Sequence, residues 1–172
     1  KSLKIGVCGV GNVGGAVLEN LTDTPEIVAS NGGVQIEIIQ VGARKGKSAV
    51  PYDLDVVTDL MDVAENPEID VFVELIGGCD LARSLVKKAI ENGKNVVTAN
   101  KALIATHGDE LFEFARNKNV QIGFEASVAG GTPVIKALRE GLVANKVKWF
   151  AGILNGTTNF ILTKMSVDQS SF

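Results

Sequence analysis

The residues that most restrict what this chain can fold into are Gly9-Val10-Gly11-Asn12-Val13-Gly14, placed directly behind the apolar run Leu3-Lys4-Ile5-Gly6-Val7-Cys8. A strand that runs into three glycines at this spacing can continue as a tight turn and then a helix. The first glycine permits the turn, the second lets a pyrophosphate approach the main chain, and the third lets the helix pack closely on the strand. Peptide N–H groups at the helix start carry about half a positive charge, so a diphosphate can bind there without a lysine in the loop. A plain glycine-rich turn has the same composition. The β-then-α setting favours a dinucleotide site at Gly9, Gly11 and Gly14.

The rest of the chain repeats that alternation. A helix is expected over 15–21, ended by Thr22-Asp23-Thr24-Pro25, with a second helical piece around 26–30. Residues 34–41 alternate and then become continuously apolar, as a strand does when its far end is buried on both faces. A loosely placed helical turn follows at 59–65, then a strand at 71–76, closed by Gly77-Gly78. Asp80 can cap a helix that Asn92-Gly93 stops. Residues 95–98 form a further strand, 109–117 a helix and 121–124 a fifth strand. Short apolar strands alternating with helices imply an α/β fold, a doubly wound parallel sheet of Rossmann type with right-handed crossovers. The character changes at Glu125. Thr132 is expected as the cap of a helix over 133–140 with Pro133 in its first position, followed by a strand over 146–154 and a helix over 157–165. The expected division is therefore a nucleotide-binding domain over 1–131 and the beginning of an α+β domain over 132–172.

The composition excludes several classes of function. The 172 residues carry a net charge of −3, with no basic stripe interleaved with aromatics, which argues against nucleic acid. The apolar runs fall short of the roughly 20 residues needed to span a bilayer, and no secretory signal is visible. Cys8 and Cys79 lie at expected strand ends without CxxC spacing, so they read as reduced core residues of a cytoplasmic protein. The single His107 precedes Gly108-Asp109 and reads as a helix-entry residue.

Three further places could carry chemistry. The second strand ends in Val41-Gly42-Ala43-Arg44-Lys45, where an NAD-specific fold would place a carboxylate for the ribose hydroxyls. Arg44, helped by Lys45, can instead pair with a 2′-phosphate and favour NADP; a solvated loop charge is the other reading. Ile76, Gly77, Thr98 and Lys101 fall beyond the carboxyl ends of strands, where ligands of open α/β sheets bind. Lys101 can hold a carboxylate or polarise a carbonyl oxygen during hydride transfer, although spacing fits an ordinary surface lysine equally. Glu125 follows a buried strand and needs a partner: a hard cation shared with nearby carbonyls, or local N–H groups.

Several stretches together resemble homoserine dehydrogenase: Gly9 to Gly14, Val73-Glu74-Leu75-Ile76-Gly77-Gly78, Val97 to Leu103, Phe124 to Pro133, and Gly152 to Leu162. The resemblance implies NAD(P)-dependent interconversion of L-homoserine and L-aspartate 4-semialdehyde. It also implies that Asn12, Val13, Ile76 and Lys101 touch the cofactor, with Lys101 beside the reacting group. Glu125, Val128, Gly130 and Thr132 match a monovalent-cation site, usually sodium, and the full-length family members dimerise through the substrate domain. The family's later segment, with its acid/base residues, has no counterpart here, so these residues alone are expected to bind dinucleotide and turn over homoserine poorly. A thioester-forming aldehyde dehydrogenase would need a nucleophilic cysteine in the second domain, where none stands. A dinucleotide-binding regulatory module without turnover is the remaining alternative.

Overall fold

In a computed structural model, which describes residues 2–152, 156–169 and 171, the chain forms two compact units, Lys1–Ser127 and Val128–Phe172. The first unit is a six-stranded, wholly parallel sheet. Its elements in chain order are β1 (Ser2–Cys8), α1 (Asn12–Asp23), α2 (Pro25–Gly32), β2 (Gln35–Gly42), β3 (Val56–Val57), α3 (Leu60–Glu65), β4 (Val71–Glu74), α4 (Asp80–Glu91), β5 (Asn95–Thr98), α5 (Lys101–Asn117) and β6 (Ile122–Gly123). The spatial order is β3-β2-β1-β4-β5-β6, so the winding direction reverses between β1 and β4. Helices that flank the two halves must then lie on opposite faces, leaving a crevice at the reversal.

Alternation along the strands divides the core in two. Ile5, Val7, Val41, Val71 and Val73 pack with Leu18 of α1, whereas Cys8, Phe72 and Val96 pack with Val63, Leu85, Ile90, Leu103 and Leu111 of α3, α4 and α5. Each such fully buried side chain contributes about 1.5–3 kcal/mol of transfer free energy, which holds the helices against the sheet. Among the described residues no helix is long and apolar enough to cross a membrane.

The structure revises several local expectations. Helix α1 begins earlier and ends later than 15–21, because Thr24 closes it by donating its N–H and hydroxyl to Asn20 O, and Pro25 opens α2 where its missing N–H costs nothing. Helix α5 begins at Lys101 rather than 109, since the side chain of Asn100 accepts the N–H of Leu103 at 3.0 Å and caps it. His107 therefore lies inside α5, not at its entry, with Nδ1 3.9 Å from Glu110. Gly108 is tolerated there because the Phe112 ring occupies the space a β-carbon would meet. The strand at 71–76 stops at Glu74, so Cys79 is not a strand-end core residue; it is partly exposed and precedes α4, and only Cys8 is fully buried. Strand β3, which is not among the expected strands, forms because β2 offers it a paired edge.

In the second unit, α6 (Val134–Lys136) continues as a π turn over Ala137–Gly141, and α7 spans Gly156–Asp168. Thr132 accepts the Val134 N–H through its backbone oxygen and makes no side-chain cap, and Pro133 holds the capping position rather than the first helical one. The expected strand does not form over 146–152, and residues 153–155 lie outside the described residues. A strand exists only when paired, and among the described residues nothing pairs this segment, whose Trp149 and Phe150 are exposed.

Candidate functional site

The crevice at the reversal holds two cavities that share Leu75, Ile76 and Gly77. The first, about 540 Å³, is bounded by Gly9 and Gly11 of the turn and by Arg44 and Lys45 beyond β2. The second, about 440 Å³, lies between Val13 at the start of α1 and Asn100 and Lys101 at the start of α5. An elongated ligand could thus run from the end of β2, past the glycine turn, to the end of β5.

The three glycines do different work. Gly9 has φ +102°, and a β-carbon on it would lie 2.6 Å from Leu75 O. A β-carbon on Gly14 would sit 1.9 Å from Gly9 O, so α1 packs on the turn only because that atom is missing. Gly11, in contrast, has extended backbone (φ −71°, ψ −161°) and open space where its β-carbon would point. Gly11 is the N-cap of α1, no side chain caps that helix, and no acidic residue stands in its first turn. The helix dipole and its first N–H groups are left facing the crevice, which fits a diphosphate.

Of the other expected site residues, Val13, Arg44, Lys45, Ile76, Gly77 and Lys101 line the crevice. Asn12 lies on an apolar groove along the outer side of α1. Thr98 is fully buried beneath the floor, its hydroxyl donated to Glu74. Glu125 is half-buried in a 3₁₀ turn (Glu125–Ser127) of the first unit, and Val128, Gly130 and Thr132 belong to the second.

Two residues escaped sequence reasoning. Glu74 is fully buried, accepting the Ile76 N–H at 2.9 Å and the Thr98 hydroxyl. Burial pushes its carboxyl up, opposed by hydrogen bonds from Thr98, Ile76 and Asn100. Its neighbour across the sheet, Cys8, is pushed up to about 12 by burial and by that carboxylate, leaving a thiol rather than a nucleophile. The signal was available: a carboxylate inside the apolar run Val71 to Ile76, where a parallel strand is buried on both faces. Asn100 was overlooked too, although an Asn just before a helix is a capping signature.

A family model described as the NAD-binding domain of homoserine dehydrogenase matches residues 9–125, and one described as homoserine dehydrogenase matches residues 133–172. The homoserine dehydrogenase of Pseudomonas aeruginosa is 57% identical over the whole of this chain, and that of Neisseria gonorrhoeae 45%. The chain spans 40% of the length of each. Among solved structures, a homoserine dehydrogenase from Thiobacillus denitrificans superposes with a TM-score of 0.90 at 47% identity, covering 99% of this chain and 40% of that one. A hyperthermophilic archaeal homoserine dehydrogenase in complex with NADPH gives a TM-score of 0.82 at 29% identity, covering 99% of this chain and 58% of that one.

Proposed function

This chain belongs to the homoserine dehydrogenase family, and from that premise we propose that its crevice holds NADP in the interconversion of L-homoserine and L-aspartate 4-semialdehyde. The observation that carries the proposal is the uncapped start of α1 at Gly11, open to a crevice with Arg44 at one end and Lys101 at the other. When bound, the cofactor supplies or accepts the hydride at C4 of its nicotinamide. The turn from Gly9 to Gly14 holds the diphosphate through main-chain N–H groups, and Arg44 with Lys45 pairs with the 2′-phosphate. Ile76 and Gly77 form the wall shared by both cavities. Lys101, the first residue of α5 and part of the second cavity's lining, is assigned the role of stabilising charge that develops on the substrate oxygen.

The same family likeness is the ground for assigning a monovalent cation, sodium, to Glu125, Val128, Gly130 and Thr132, and for a homodimeric cytoplasmic enzyme. The test is a titration of the chain with NADPH and NADP, followed by homoserine-dependent NADP reduction in a polypeptide of the relatives' length. Saturable binding with turnover only in the longer polypeptide is the expected result. Failure of the folded chain to bind either form of the cofactor would overturn the proposal.

A further inference from the structure

Glu74, Thr98 and Asn100 form a closed hydrogen-bonded ring beneath the second cavity. Glu74 and Thr98 end adjacent strands and are register partners across β4 and β5. One carboxylate oxygen of Glu74 accepts the Ile76 N–H at 2.9 Å, and the other accepts the Thr98 hydroxyl. The Thr98 oxygen in turn accepts the Asn100 N–H at 3.0 Å, and the Asn100 amide donates to Gly78 O at 2.6 Å, which returns to the loop that began at Glu74. The remaining side-chain oxygen of Asn100 caps α5 through Leu103 N, directly beside Lys101. Apart from the Thr98–Glu74 contact between side chains, every hydrogen bond of the ring holds a specific main-chain atom of the two loops or of the first turn of α5. Those loops carry Ile76 and Gly77 on one wall of the cavity and Asn100 and Lys101 on the other.

We propose that Glu74 is a positioning residue: its carboxyl group holds the β4–α4 and β5–α5 loops at a fixed separation and so sets where the nicotinamide end of the cofactor and Lys101 meet. The inference rests on the functional reading above. The ring needs an acceptor on both oxygens of residue 74. A glutamine supplies one acceptor and one donor, so either the Ile76 N–H or the Thr98 hydroxyl faces an N–H in place of an acceptor. A buried polar ring of this kind is rigid when complete and loose when one member is changed.

The test compares the wild-type chain with Glu74→Gln, Thr98→Val and Thr98→Ser. Backbone exchange at the Ile76 and Asn100 amides should speed by about tenfold in Glu74→Gln and Thr98→Val and stay near wild type in Thr98→Ser, which keeps the hydroxyl. NADPH should bind all four proteins with affinities within about threefold, since the glycine turn is untouched, while the fluorescence gain of the immobilised nicotinamide falls by about half or more in the first two variants only. Unchanged exchange and unchanged fluorescence in both would overturn the proposal, and Thr98→Val decides if Glu74→Gln does not fold. Absence of NADPH binding by the wild-type chain would instead sink the functional reading, and this inference with it.

Discussion

Alanine substitutions at Gly11 and Gly14 should separate a glycine kept for a ligand from one kept for the fold. Alanine at Gly11 meets nothing within 4 Å and adopts ordinary extended backbone, so the folded state has no reason to resist it. Such a change commonly stabilises by about 0.4–1 kcal/mol through the unfolded chain. For a chain of this length that raises Tm by about 1–3 °C. Alanine at Gly14 would put a methyl 1.9 Å from Gly9 O, so α1 must move off the turn, at a cost of about 1–3 kcal/mol or more and a Tm lower by about 3–8 °C or more. The order reverses in binding. The Gly11 methyl projects where the diphosphate is proposed to lie, and NADPH affinity should fall by at least about tenfold, or ~1.4 kcal/mol. Thermal unfolding and NADPH titration of the two variants give the four numbers needed. A Gly11→Ala protein that binds NADPH as well as wild type would refute the placement of the diphosphate. A Gly14→Ala protein with wild-type Tm would refute the packing argument.

Arg44→Ala should weaken NADP by about tenfold or more and leave NAD unchanged, the loss expected for a hydrogen-bonded charge pair; equal losses for both in a competition titration would remove Arg44 from the 2′-phosphate. Lys101→Met, in a polypeptide of the relatives' length, should lower kcat by about a hundredfold with NADPH affinity within about threefold, and steady-state kinetics with equal kcat would dismiss its role. Arg83 and Lys87 hydrogen-bond Glu110, hold its carboxyl down to about 2, and tie α4 to α5. That contribution is present above the ordinary carboxylate value and lost as pH falls towards 2, so Glu110→Gln should unfold at higher pH than wild type when followed by circular dichroism. Glu74 has the opposite sign: its raised carboxyl contributes stability that is full below the ordinary value and lost as pH rises through the raised one. Urea titrations should therefore show wild type gaining on Glu74→Gln as pH is lowered through that window, and a difference flat in pH would contradict a buried titrating carboxylate.

What the sequence by itself determined was local. Gly9, Gly11 and Gly14 behind a strand, the alternation of apolar strands with amphipathic helices, and Arg44 in place of a carboxylate after β2 all depend on turn geometry and periodicity within a few residues. They were enough for the parallel sheet, the crevice and most of its lining. The start of α5 was legible in principle, because Asn100 caps it from within the same four residues; the expected start at 109 falls just past Gly108, beside which the Phe112 ring packs. The tertiary structure alone decided what Glu74 and Thr98 do. They stand far apart in the chain and become partners only when β4 and β5 align in register, with Cys8 beside them on β1. It also decided that residues 146–152 find no strand partner among the described residues, since a strand is a property of two segments and periodicity describes only one.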